Sequence, residues 1–543
     1  MTAAGLLLFA TLGLPLGMAA AAISPALRPR LLAALPLAPL PGLLAALIAP
    51  AGLQVIAPGP LRMVLALDTP GALLLGSAAM LWSLAGLYAA NYMRQDRRAP
   101  RFAVWWLLTM TGSLGLFIVA DLASFYLVFA LASLSAYGLV SHEATPRARR
   151  AAAVYMALAI LGEAFLLLGF VMLATDWAAG NPLIVDAVAR LPDSPRAGVI
   201  VLLLILGFGL KMGLAPLHVW MPLAHPVAPM PASAALSGII VKAGVVGLIR
   251  FLPLEPGLPG WGIALMTLGL GTAFYGVAVG ITQQHPKTVL AYSTVSQMGF
   301  LAAVLGAGLE AGGGATAVLA AFYAVHHLLV KGALFLGVGV VAATGRRHLP
   351  WLLAVSAVLA LSLAGLPFTS GALAKYAVKP LFGDGFTGAF ASLAGAGSAL
   401  LMLHFLRRLA TAAHKDPATS VPLGLLLPWA VVALAAFIVP WALFSAVSGD
   451  PLAAPMGLAA LWASVWPILI GAVLALVLAA YARVVPAIPE GDVIVLVERA
   501  APLGKRLGDA AERLDGGIRQ WGVAVAVLAA LVLTLAGALA FAG

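Results

Sequence analysis

The chain has 543 residues, 63% hydrophobic and 9% charged, with a mean hydropathy of +1.07. That is more apolar sequence than a globular core can hide, so a soluble protein is excluded and an integral membrane protein is indicated. The net charge of +11, from 30 Lys and Arg against 19 Asp and Glu, is explained by basic loops and does not indicate a nucleic-acid partner. There is no cysteine, which rules out iron–sulfur clusters, thiolate-bound metals and disulfides. The nine histidines show neither metal-ligand spacing nor the paired positions that haems need. No metal, cofactor or redox centre is expected, so any electrons would travel in other subunits.

About sixteen apolar runs of bilayer-spanning length predict an all-α polytopic helix bundle. The first three, Gly5 to Ala22, Leu31 to Ala51 and Leu73 to Tyr92, carry almost no ionisable residue and read as an N-terminal scaffold over 1–101. Met1 to Ala22 lacks the basic leading segment of a cleaved signal, so it reads as the first span. The RQDRR run at Arg94 to Arg98 reads as a solvated loop. A block over 102–252 follows, opening with helices at Ala103 to Val119 and Asp121 to Val140. Its next helix, Ala151 to Ala174, holds Glu163, the one carboxylate expected deep in the membrane. Beside a lysine such a group can share or relay a proton, and otherwise it bonds a neighbouring helix.

The densest signal lies between Leu210 and Arg250. Lys211 stands just before Gly213 and Pro216, prolines from Pro222 to Pro231 break the helix, and Lys242 sits mid-span in the helix that follows. His218 and His225 lie near the break. A free ammonium in hydrocarbon costs roughly 3 kcal/mol or more. Backbone freed by proline at that depth is tolerated only where protein or water satisfies it. Two lysines flanking a broken helix therefore read as a hydrated ion path, with lysine and histidine both able to accept and return protons.

A second block, 253–410, has a similar plan. Helices are expected at about Trp261 to Ile281, Thr288 to Ala307, Ala315 to Ala343, Leu352 to Leu381 and Phe390 to Leu406. The fourth is broken at Gly365, Leu366 and Pro367 beside Lys375, and its neighbour carries His326, His327 and Lys331. Interrupted helices at corresponding positions of two halves point to an ion path built from an internal repeat, here two inverted five-helix repeats. The remainder, 411–543, holds spans at Leu423 to Val447, Leu458 to Tyr481 and Trp521 to Ala542. Between the last two, Pro486 to Arg519 has apolar residues at helical spacing among charges, as in a helix on the cytoplasmic surface that braces the bundle or docks a partner.

Placing both termini outside a bacterial-type inner membrane puts about 21 basic residues in cytoplasmic loops against about 5 opposite, a strong positive-inside bias. Lys287 is counted among the cytoplasmic loop residues in this arrangement.

Four segments, His218 to Arg250, HPKTVLAYSTVSQMGF (His285 to Phe300), HHLLVKGALFL (His326 to Leu336) and LSLAGLPFTSGALAK (Leu361 to Lys375), resemble the antiporter-like membrane subunits of respiratory complex I. The same module is known in multi-subunit cation/proton antiporters and hydrogenase-4-type membrane complexes, and the resemblance covers roughly Ala103 to Arg408. It implies a proton-translocating unit with inverted repeats and a central polar axis. Lys211 and Lys242 match the family's lysines of the first repeat; His327, Lys331 and Lys375 match those of the second. Leu223 stands where complex I subunits often carry aspartate, which leans toward the hydrogenase-4 or antiporter branches. Two further departures stand out. Ala130 occupies the slot of the glutamate that usually pairs with the lysine matched by Lys211, leaving Glu163 to compensate. Tyr323 replaces a first histidine, with His326 as its substitute.

The favoured function is a proton, or sodium/proton, translocating subunit of a larger energy-coupling complex, a translocase of NADH:quinone oxidoreductase-like or hydrogenase-like type. Its partners would be other membrane subunits, with redox or uptake subunits beyond them. The alternatives are a non-pumping membrane anchor or gated proton path, for instance in inorganic carbon uptake, and a self-sufficient secondary cation/proton antiporter.

Overall fold

The computed structural model describes residues 2–50, 52–56, 63–175, 181–481 and 486–495. The chain divides into a unit over 1–490 and a second over 491–543; only 491–495 of the second are described, and the helices and strands named in this section all belong to the first. The expected span at Trp521 to Ala542 and most of the amphipathic segment lie outside the described residues.

Helices dominate. The N-terminal three are α1 (Ala3–Ala21), α2 (Arg28–Ile48) and α3 (Thr69–Tyr92). Then come α4 (Ala99–Gly115), α5 (Leu122–Val140), α6 (Pro146–Thr175), α7 (Ala197–Met212), α8 (Trp220–Val227) and α9 (Met230–Phe251). The next group is α10 (Trp261–Gly280), α11 (Pro286–Ala311), α12 (Ala315–Ala342), α13 (Leu349–Ala364), α14 (Ser370–Val378) and α15 (Phe386–Ala410). Last are α16 (Leu423–Ser448) and α17 (Leu458–Ala480). Among the described residues, twelve helices are long and apolar enough to cross a membrane, and the protein is an all-α polytopic membrane bundle. Its centre is α9, α11 and α12, each buried throughout an 18-residue stretch, whereas α17 is largely uncovered.

Both expected breaks are present and are closed in the same way. α7 ends at Gly213 (φ 82°), where Leu214 N–H bonds Gly209 O and Gly213 N–H bonds Leu210 O. α13 ends at Gly365 (φ 99°), with Leu366 N–H on Leu361 O and Gly365 N–H on Ser362 O. Each is a Schellman closure requiring a left-handed residue, for which glycine has no Cβ penalty, and each is followed shortly by proline, Pro216 or Pro367. Helices α10 and α11 touch backbone to backbone. A Cβ at Gly269 would stand 2.5 Å from Ala303 N, and one at Gly299 2.6 Å from Ala273 N.

Two features depart from the sequence-based expectation. A short antiparallel hairpin, β1 (Leu53–Ile56) with β2 (Val64–Leu67), precedes α3. Asp121 joins it to α5, accepting from Val64 N–H at 2.8 Å and from Ser124 N–H at the helix start at 2.9 Å. The second departure is a correction. Lys287, expected in a cytoplasmic loop, lies in the first turn of α11 and is buried, because the helix starts at Pro286, a residue well suited to a helix first turn.

Candidate ion pathway

At the first break Lys211 occupies the last turn of α7 with 3% of its surface exposed. Its Nζ donates to Ser133 Oγ of α5 at 2.9 Å and to Tyr155 Oη of α6 at 3.0 Å. It also stands 5.2 Å from the centroid of the Tyr155 ring and 5.9 Å from that of Phe129, an attraction that partly replaces lost hydration. Tyr155 donates onward to Ser133 O at 2.6 Å. Glu163 shares the buried face of α6 with Tyr155, Ala159, Gly162 and Leu166, at the 3.6-residue period of a packed helix. Its carboxylate lies within electrostatic range of Lys211, and Oε1 has no hydrogen-bond partner. The structure thus gathers Glu163, Ser133, Tyr155 and Lys211, with Ser133 one helical turn beyond Ala130.

The loop after α7 carries this cluster toward the centre. Trp220 Nε1 donates to Leu210 O at 3.0 Å and meets the Tyr155 ring edge-on at 5.4 Å. His225 follows, its ring 6.5 Å from Trp220 and 4.7 Å from Phe335. It is wholly buried, and neither ring nitrogen has a hydrogen-bond partner. His218 points elsewhere, packing against Tyr275 and Tyr292.

The carbonyls freed between α8 and α9 are satisfied by side chains. Lys287 Nζ donates to Ala228 O at 2.5 Å and to Ser233 Oγ at 3.3 Å, and Ser233 bonds His225 O at 3.1 Å. Lys287 also acts electrostatically on His225. It is therefore a candidate functional residue that sequence reasoning misses; the prolines of the break and the neighbouring HPK motif are the only hints. Just outside the span, burial and then Lys287 push the His285 imidazole below its ordinary value, while Glu490 acts in the opposite sense.

In the central helices Lys242 Nζ lies 2.5 Å from His327 Nδ1, both groups wholly buried. An amine and an imidazole in such contact share a proton: one must donate and the other accept. A π-helical stretch, Leu236–Ile240, ends two residues before Lys242, and π-bulges often lie at functional sites. Lys331 Nζ donates to Leu290 O of α11 at 2.9 Å and acts electrostatically on Lys242, His327 and His225.

At the second break His326 Nδ1 is 2.9 Å from Ser370 Oγ, and Lys375 acts on His326 electrostatically. Lys375 Nζ donates to Ala364 O at 2.7 Å, an orphan carbonyl of the interrupted helix, and lies 5.9 Å from the Phe300 ring centroid. Tyr323 bonds Gln297 Oε1 at 2.7 Å and leaves the polar contact with α14 to His326. The sequence-predicted residues thus fall into two groups. One runs from His225 through Lys331, Lys242, His327 and His326 to Lys375; the other holds Lys211 and Glu163; His218 stands apart. Among the described residues no group of three or more His, Asp or Glu side chains could hold a metal ion.

The fold is that of a polytopic membrane protein with lysines and histidines beside two broken helices. Residues 119–382 match the family described as NADH:quinone oxidoreductase/Mrp antiporter, transmembrane, and this segment belongs to it. Hydrogenase-4 component B of Escherichia coli is 29% identical over 339 residues, 58% of this chain and 50% of that protein. A putative antiporter subunit of Staphylococcus saprophyticus is 32% identical over 327 residues, 55% of this chain and 41% of that protein. The chain spans about half or less of the length of these relatives. In fold it is similar to a chain of the Mrp complex from Dietzia sp. (TM-score 0.78, 23% identity, 99% of this chain and 63% of that one). It is also similar to a chain of the membrane-bound sulfane sulfur reductase, an archaeal respiratory membrane complex (TM-score 0.69, 20% identity, 82% and 96%).

Proposed function

We propose that the chain is an ion-translocating subunit of a larger energy-coupling membrane complex, moving protons, or sodium in exchange for protons, along its buried lysines and histidines. The observation that carries this reading is the Lys242–His327 contact at 2.5 Å, flanked by Lys331 on one side and by His326 and Lys375 on the other. Lys242 and His327 are wholly buried and in direct contact, so either can take the other's proton, and Lys331, His326 and the half-buried Lys375 supply further titratable groups along the path. Like charges so close oppose one another, so loading one site favours release from the next.

Two inverted five-helix repeats, 102–252 and 253–410, fit the matching closures at Gly213 and Gly365. In this reading the N-terminal scaffold over 1–101 and the C-terminal helices from 411 flank them. Glu163 replaces the carboxylate missing at Ala130 and sets when Lys211 releases its proton. Lys287 is the cytoplasmic end of the line, with both termini outside a bacterial inner membrane. The names of the relatives, a hydrogenase component and an antiporter subunit, support partner membrane subunits. The test is ion flux in proteoliposomes holding the chain with its partners. Lys242→Ala should abolish flux while the complex still assembles, and flux near wild type would overturn the reading.

A further inference from the structure

Outside the polar line, at the far end of α15, a cavity of about 140 Å³ opens between α15, α17 and the segment at Pro486. Arg407, Arg408 and His404 line it with Gln284, over an apolar wall that includes Leu403 and Leu478. Among the described residues lining it, none is acidic. Arg408 Nε is buried without a hydrogen-bond partner, a donor that normally finds an acceptor. His404 is already committed, bonding Gln283 O at 2.8 Å, so the unmet demand is the guanidinium's. A planar guanidinium beside a second one is suited to the oxygens of a phosphate.

The surroundings indicate what carries that phosphate. α17 turns Val473, Leu476 and Val477 outward, with 60%, 73% and 50% exposed, as a span facing acyl chains does. The two arginines stand at the last turn of α15, the depth at which head groups lie. Basic pockets between spans at this depth recognise anionic lipid head groups. We propose that this cavity binds the phosphate of an anionic phospholipid, its acyl chains lying along α17. The arginines discriminate against zwitterionic lipid, whose ammonium they repel.

The experiment uses the full-length chain purified in a neutral detergent, with lipid retention followed by native mass spectrometry. Phosphatidylglycerol should bind in preference to phosphatidylcholine, and millimolar inorganic phosphate should not displace it. Arg407→Ala with Arg408→Ala should weaken phosphatidylglycerol binding roughly thirtyfold, two juxtamembrane charges' worth. Leu478→Trp, which fills the cavity and keeps both arginines, should weaken it as well, and decides the matter if the arginine variant fails to fold. Equal retention of the two lipids, or undiminished binding in Leu478→Trp, would overturn the proposal. Displacement by inorganic phosphate would overturn the lipid as ligand and leave a free-anion site.

Discussion

Replacing Lys242 by methionine keeps the side chain's length and most of its volume, so little cavity is created. What is lost is the contact of Nζ with His327 Nδ1, 2.5 Å away in a wholly buried site where His327 Nε2 already has no partner. A hydrogen bond of this charge-assisted kind contributes about 1.5–3 kcal/mol. The single variant alone is a poor gauge, since removing a buried amine also removes its desolvation penalty. The interaction energy is isolated by a cycle of Lys242→Met, His327→Leu and the double variant. Equilibrium unfolding in mixed micelles should give a coupling of about 1.5–3 kcal/mol, with all three variants inactive in flux. A coupling within measurement error of zero would refute the contact, and flux near wild type in Lys242→Met would refute its role.

Glu163→Gln should impair transport as severely as Lys211→Ala, with the double variant little worse than either, because the two groups act as one charge pair; a nearly silent Glu163→Gln would show that the carboxylate is idle. Lys287→Met should slow transport and loosen the break by removing the shorter of the two hydrogen bonds to Ala228 O, leaving that from Ser233 Oγ at 3.3 Å, read as faster hydrogen exchange at 228–233, whereas unchanged exchange and flux would count against it. Outside the membrane, burial works against the Asp96 charge, but hydrogen bonds from Arg98 N–H and His142 Nε2 hold its carboxyl below the ordinary 3.8. This clasp is therefore complete above the ordinary value and is lost as pH falls through the lower folded one. Hydrogen exchange at 94–98 should rise only in that acid window and not at neutral pH; Asp96→Asn should remove the pH step.

Much of this arrangement is legible in the sequence, since glycine and proline mark helix breaks wherever they stand, and lysine in an apolar run demands a reason. Gly213 with Pro216, and Gly365 with Pro367, announce both closures, and Lys211, Lys242, Lys331 and Lys375 stand out against their surroundings. Rotation between helices, by contrast, leaves no mark in a sequence. Whether Glu163 meets Lys211 depends on how α6 lies on α7, where a Cβ at Gly207 would stand 3.0 Å from Gly162 O and 2.6 Å from the Leu166 side chain. Ser133 and Tyr155 look like ordinary helix residues until that packing is seen. Lys287 misleads for a different reason: a lysine two residues after a histidine and next to proline has the composition of a loop, and only burial against Ala228 distinguishes it. The π-stretch before Lys242 has no composition signal, because LSGII could equally continue an α-helix.

In the proposed mechanism protons, or sodium exchanged for protons, pass along the line from Lys331 through Lys242 to Lys375. The most direct test is ion flux into proteoliposomes containing the chain with its partner subunits, measured with a pH-sensitive dye at fixed driving force. Lys331→Ala and Lys375→Ala should each suppress flux strongly while the complex remains assembled; wild-type flux in both would rule the path out.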